Sequence, residues 1–381
     1  MSPRKSTRRQ FLRGEAAIDA VADLADGIAA ETPPGAPGAS GVGEARSQPP
    51  PVADAASAAY LLEVSRDAMA CKFALYLNAG QHGGAAERCV EALDRLEPLE
   101  QQMSVYREQS EVSRLNRTAA EQPVEVEPGL AALFARAIEH WRQTGGAFDM
   151  TAGPLSKVWG FYRRAGGVPD EAALAEALSR VGTQRLDFDA EERTIHFQTP
   201  GMEINLGGIG KGHALDDGAR HLTSEGVSDF LFHGGHSSVL ARGSRLGPNA
   251  PAGGGWLVGV RHPLRPERRL AEIVLRDRAL GTSGSASQSF YYQGKRYGHI
   301  LDPRNGWPAD RLLSATVITA SAADADALAT AFYVMGVEAA FDYCRRHAGV
   351  AALLVSPGKR RGTIELHDIG LEADQWRQLE E

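Results

Sequence analysis

The sequence predicts a mixed α+β domain and not a doubly wound parallel sheet. Three observations lead there. Short strand-like runs alternate with helical ones, antiparallel-looking hairpins stand among the strand–helix units, and a short apolar strand, Ile204-Asn205-Leu206, passes through Gly207, Gly208, Gly210 and Gly212 into a helix at Ala214 to Leu222.

Taken in order, Lys72 to Leu77 alternates apolar and polar residues as a half-buried strand does. Gly84 to Leu99 and Gly129 to Gln143 carry apolar residues at helical spacing. Further strands are predicted at Arg185 to Phe188, Thr194 to Gln198, Phe230 to Phe232, Trp256 to Arg261, Ala271 to Leu275 and Ala315 to Thr319. Arg242 to Gly255 is a loop rich in Gly and Pro, Ala323 to Met335 a helix, and Val350 to Val355 a strand.

The N-terminal part reads differently. In residues 1–30, Thr7-Arg8-Arg9-Gln10-Phe11-Leu12 has the form of a twin-arginine export signal, but Glu15, Asp19, Asp23 and Asp26 interrupt the apolar stretch that should follow. That stretch reads as an acidic amphipathic helix, which leaves an export signal and a docking peptide both open. Residues 31–57, with Pro33-Pro34 and Pro49-Pro50-Pro51, form a linker too poor in apolar residues to offset the entropy of ordering. The globular domain is expected over residues 58–381.

Composition bounds the function. Hydrophobic residues at 43% and charged residues at 23% of 381 are ordinary for a globular chain. A net charge of -7 without a long Lys/Arg run argues against nucleic-acid binding, which depends on neutralising many phosphates. Cys71, Cys89 and Cys344 lack the spacing of a zinc site and read as buried small hydrophobes. No apolar run reaches the roughly 18 residues of a membrane span.

The chemistry-bearing motifs are individually modest. The glycine loop suits a phosphate, because its backbone can approach closely and a helix N-terminus offers N–H groups, although a plain tight turn has the same composition. Lys211-Gly212 without a following Ser or Thr excludes a Walker A loop. Asp326 and Thr330, four apart, share one helix face and could offer two oxygens to a hard cation; alternatively Thr330 bonds back to a carbonyl. His299 precedes an Asp302-Pro303 turn, as either a structural hydrogen-bonder or a catalytic group. Gly145-Gly146-Ala147-Phe148-Asp149 makes a loop able to lie against a flat ring with Asp149 free to accept, or a capped helix start with a buried Trp159.

In order, these blocks closely resemble the ApbE family of FAD:protein FMN transferases from Ala68 to Gly336. The matched stretches are Met69-Ala70-Cys71, Met103-Ser104-Val105-Tyr106, Ser110 to Asn116, Gly146 to Leu155 with Trp159-Gly160-Phe161, and Lys211-Gly212 with Asp216. They continue through Gly234-Gly235, Thr282-Ser283-Gly284, His299-Ile300-Leu301-Asp302-Pro303 and Ala325 to Thr330. The resemblance implies a bilobed α+β fold of mixed sheets flanked by helices, with FAD in the cleft and Mg²⁺ on its pyrophosphate. It places Met69, Tyr106, Ala147, Phe148, Asp149, Asn205, Lys211 and Ile300 beside FAD, and Asp326, Thr330 and the carbonyl of Gly208 on the metal.

Six positions depart from the family pattern: Asn205 and His236 stand where Asp is usual, Ser285-Ala286 replaces Asp-Tyr, and Ala70-Cys71 replaces Gly-Thr. The expected activity is Mg²⁺-dependent transfer of FMN from FAD to a Ser or Thr hydroxyl of an acceptor protein, such as a component of a membrane redox complex, with release of AMP. Lys211 offsets developing charge and His299 is the candidate base. An FAD pyrophosphatase giving FMN and AMP, or a non-catalytic FAD-binding protein, are the alternatives. The expected location is the cell envelope or periplasm if the N-terminus directs export, otherwise the cytoplasm.

Overall fold

The computed structural model describes residues 60–284, 288–360 and 362–379. The twin-arginine-like segment, the linker and Ser285-Ala286 lie outside the described residues. In chain order the first elements are β1 (Leu61–Ala68), β2 (Cys71–Asn78), α1 (Ala85–Asp94), α2 (Leu96–Met103), α3 (Glu111–Thr118), β3 (Val124–Glu125), α4 (Pro128–Gln143), α5 (Gly153–Val158) and α6 (Glu171–Ser179). Then come β4 (Leu186–Asp189), β5 (Thr194–Phe197), α7 (Gly210–Ser224), β6 (Phe230–Gly234), β7 (Ser238–Arg242), β8 (Trp256–His262), β9 (Arg265–Leu275) and β10 (Ala279–Gly284). The chain finishes with β11 (Ser289–Tyr292), β12 (Lys295–Gly298), β13 (Ser314–Thr319), α8 (Ala322–Met335), α9 (Val337–Arg346), β14 (Ala351–Pro357), β15 (Ile364–Ile369) and β16 (Trp376–Gln378).

An eight-stranded sheet, ordered β1-β2-β6-β7-β10-β13-β14-β15, organises the domain, and every neighbouring pair in it is antiparallel. Its two faces follow from strand alternation. Phe73, Leu75, Leu77, Phe230, Phe232 and Leu240 point to one face and pack on Cys89 and Leu93 of α1 and on Leu215 and Leu222 of α7. Leu231, Val239, Ala241, Leu280 and Leu353 point to the other, where Trp256, Val258 and Ile273 of the sheet β16-β9-β8 cover them. A further core joins α4, the sheet β3-β5-β4 and α8 through Phe134, Ile195, Phe197, Leu328 and Phe332.

Three expectations need correction. The helix expected from Gly84 to Leu99 is interrupted at Arg95, because Pro98 has no N–H to give the carbonyl of Asp94 and is tolerated only in the first turn of a new helix. Ile204-Asn205-Leu206 has no regular secondary structure and joins no sheet; the neighbouring Glu203 makes a parallel bridge to Ala152. The Asn116 side chain takes the place of a strand there, its Oδ1 accepting from Ile204 N at 2.7 Å and its Nδ2 donating to Ile204 O at 3.0 Å. Of the cysteines, only Cys89 is fully buried, while Cys71 and Cys344 are half-buried.

Helix α8 is wedged between α7 and β10, and two glycines make this possible. A Cβ on Gly212 would run into the carbonyl of Ala322, and one on Gly281 would stand 2.5 Å from the Ala325 backbone. Neither neighbour is a flexible side chain. Gly212→Ala and Gly281→Ala are therefore each expected to destabilise the domain by about 3 kcal/mol or more, read as a fall in the urea midpoint. Gly83→Ala meets nothing within 4 Å and should change it by less than about 0.5 kcal/mol.

Candidate active site

The wedge brings the N-terminus of α7 against the first turns of α8, and one carboxylate joins them. Asp326 accepts from the backbone N–H of Gly212 at 2.8 Å and from the Ser238 hydroxyl at 2.7 and 2.9 Å, so α8, α7 and β7 meet at this group. It is 7% exposed and, among the described residues, has no cation within ion-pair distance. Burial pushes its carboxyl up to about 6, against the pull of Lys211 and the two hydrogen bonds.

Thr330 stands one turn further along α8. Its hydroxyl donates to the Asp326 carbonyl at 3.2 Å, the back-bond anticipated from the sequence, and lies 3.2 Å from Ser283 Oγ. Gly208 packs against both Thr330 and Phe148, which sit 3.4 and 3.2 Å from where its Cβ would be. Hard oxygens thus gather around one negative charge that lacks a partner. Among the described residues no group of three or more His, Cys, Asp or Glu could hold a metal, so the donor set is unlike a zinc or all-carboxylate site and fits Mg²⁺, which keeps few protein ligands.

Four amides of the glycine loop are already engaged within the chain, which leaves those of Gly208 and Lys211 to face an anion. Gly207 N donates to Asn205 Oδ1 at 2.9 Å, Ile209 N and Gly210 N both donate to the Leu206 carbonyl, and Gly212 N is held by Asp326. The physical reason is the tight turn, which folds its donors inward. Positive charge at this helix start comes from Lys211, whose field acts on Asp326, Cys71 and His299 alike. Asp216, one turn on, accepts from Ser321 Oγ, Ala322 N and Ala323 N and so fixes the start of α8.

His299 follows β12 with its Nδ1 3.1 Å from the carbonyl of Gln288. A carbonyl only accepts, so Nδ1 carries the proton and Nε2 keeps its lone pair. Burial, and then Lys211, hold the imidazole below its ordinary pKa, with the Gln288 contact opposing. The ring is neutral near pH 7, as a base must be.

The remaining expected residues divide. Met69, at φ 50 beside Ala70 at φ 57, forms the two-residue turn between β1 and β2, pinned by its N–H to Glu100 Oε2 at 2.8 Å. Ala147 and Phe148 are buried, and Ile300 is a core residue at 7% exposure. Tyr106 is exposed and stacks on Tyr162 with ring centroids 4.8 Å apart. Asp149 is not free to accept: Thr151 N, Thr151 Oγ1 and Thr183 Oγ1 occupy Oδ1, and Thr183 N occupies Oδ2. It fixes the loop, beside a fully buried Trp159 that donates to Gly306 O at 2.8 Å. Ser238 went unnoticed in the sequence, and Ser283 entered only as part of a matched motif; a serine heading the apolar run Val239 to Ala241 was the only signal for Ser238.

The sign of the Asp326 effect is definite. The folded carboxyl keeps its proton to about pH 6 where the unfolded one releases it near 3.8, so stability from this group is full below that value and lost as pH rises through 6. The loss is about 3 kcal/mol. Asp326→Asn should raise the melting temperature at pH 8 in chelator and leave it nearly unchanged at pH 4. Equal destabilisation at both pH values would contradict an uncompensated buried charge.

Residues 69–354 match the ApbE family. The chain is 35% identical over 282 residues to the Treponema pallidum protein named FAD:protein FMN transferase, an alignment covering 71% of this chain and 77% of that protein. With its namesake from Vibrio cholerae it shares 34% over 251 residues, covering 65% and 73%. The solved structure of the flavin transferase ApbE from Vibrio cholerae superimposes with a TM-score of 0.70 at 26% identity, covering 82% of this chain and 97% of that one. The ApbE protein from Thermotoga maritima does so at 0.70 and 30%, covering 80% and 96%. With its fold, its ordered motifs and most of its length matched, this chain belongs to the ApbE family.

Proposed function

We propose that this protein transfers FMN from FAD to a Ser or Thr hydroxyl of an acceptor protein, with Mg²⁺, releasing AMP. The observation that carries it is a buried carboxylate without a cationic partner, set with Lys211 and a neutral imidazole whose Nε2 is a free base. The relatives named FAD:protein FMN transferase support the same reading.

Asp326, Thr330 and the carbonyl of Gly208 would hold Mg²⁺, which would supply neutralising charge at the pyrophosphate. Met69, Tyr106, Ala147, Phe148, Asn205 and Ile300 border FAD, with Asp149 holding the loop behind them. The acceptor oxygen attacks the FMN-side phosphorus, and its new P–O bond forms as the bridging P–O bond breaks. AMP leaves with the bridging oxygen, and the hydroxyl proton passes to His299 Nε2. Lys211 offsets the charge that builds on the phosphoryl oxygens. Asn205 makes its turn through a side-chain oxygen that an Asp would also supply, so this departure leaves the loop intact.

Incubating the protein with FAD, Mg²⁺ and an acceptor should place covalent flavin on the acceptor. Free FMN with AMP would mark a pyrophosphatase, and intact bound FAD a binding protein. His299→Gln is expected to lower turnover by about 100-fold or more while FAD affinity holds; unchanged turnover removes His299 as the base.

Residues 1–30 are proposed as an export signal for the cell envelope. A reporter fused to residues 1–40 and found only in the cytoplasm rejects that.

A further inference from the structure

The hairpin joining β8 to β9 concentrates positive charge outside the site. Residues 261–269 contain Arg261, Arg265, Arg268 and Arg269 against Glu267 alone, a net +3 on a chain of formal charge -7. Arg265 to Arg269 are all exposed, as are Arg261 and, at 40%, Leu264. Arg269 reaches Glu272 at 3.3 Å, whereas Arg268 has no hydrogen bond or ion pair among the described residues.

Arg261 leads back toward the site. Its Nη2 lies 3.2 Å from Nδ1 of His236, in the turn between β6 and β7. That nitrogen must be the acceptor, since a guanidinium only donates. The turn rests on Cys71, whose Cβ and Sγ stand 3.1 Å from where a Cβ on Gly235 would be, and Cys71 feels the charges of Lys211 and Asp326. At position 236, where the family resemblance led us to expect an acid, this chain thus ties an imidazole to an arginine. The charge along this rim is positive.

We propose that this arginine tip, continued through Arg261 and His236, docks an acidic segment of the acceptor protein near the hydroxyl that receives FMN. The assignment rests on the transferase reading. Its physical basis is charge complementarity: a net-negative chain repels an acidic partner on average and attracts it at such a patch, which then sets both encounter and orientation. The FAD phosphates have their counter-charge in Lys211 and do not require these arginines. Four guanidinium groups on one hairpin tip are also too few to track a nucleic-acid backbone.

The test uses two labelled peptides that share a central Ser-Thr pair, one flanked by Asp and Glu, the other by Asn and Gln. Fluorescence anisotropy reads binding and covalent flavin reads transfer, with the wild type and Arg261→Glu/Arg268→Glu. The wild type should favour the acidic peptide by about 10-fold at low salt, and the double variant should lose that preference while binding FAD as before. Arg268→Glu alone should lose part of it, which guards against misfolding of the double variant. Equal use of both peptides by the wild type, or a preference kept by the variants, overturns the assignment. So does arginine-dependent sedimentation with phosphatidylglycerol vesicles when the peptides behave alike, which gives the tip to a lipid surface. If the acidic peptide binds in an arginine-dependent way but no peptide gains flavin, the docking surface stands and the transferase reading fails.

Discussion

The site depends on a single buried carboxylate. Asp326 links α8 to the start of α7 through Gly212 N and to β7 through the Ser238 hydroxyl. A charge in that position is costly, because the surroundings exclude water and the two donors that meet it are neutral. A fold keeps such an arrangement where something else completes it. The oxygen donors gathered nearby, Thr330 and Ser283 among them, suit a hard cation.

The backbone contacts that create this junction are as restrictive as the charge. Helix α8 can lie against both β10 and α7 only because positions 281 and 212 lack a Cβ. The same approach consumes the Gly212 amide that an anion would otherwise use. At the start of α7 the side chain of Lys211 delivers positive charge with reach to several groups at once. Four glycines in the loop suggested a phosphate cradle; one of them, Gly212, proves to be a packing contact.

The positions that depart from the family pattern have separable physical consequences. Asn205 keeps the turn through a side-chain acceptor. Ala70 sits at φ 57 in a tight hairpin turn, a conformation in which a side chain is strained and glycine is not. His236 alters the charge of the rim by accepting from Arg261. The first leaves the loop as it was, the second carries local strain, and the third changes what the neighbouring surface attracts.

Much of this was legible in the residues alone. Alternation marked β2, β8 and the second half of β9, helical spacing marked α4 and α8, and the order of the motifs named Lys211, His299, Asp326 and Thr330, because local periodicity and local spacing carry that information. The edge strand β1 escaped notice, since five of its eight residues are polar or exposed and its pairing is set by β2. Other features belong to contacts between distant residues. Asn116 standing in for a strand beside Ile204 spans 88 positions, Ser238 holding Asp326 also spans 88, and the capture of Asp149 by Thr183 spans 34. Residue type and spacing determined which groups could do chemistry; only tertiary packing decided which of them remained available, because a hydrogen-bonding group already satisfied within the chain has nothing left to offer a ligand.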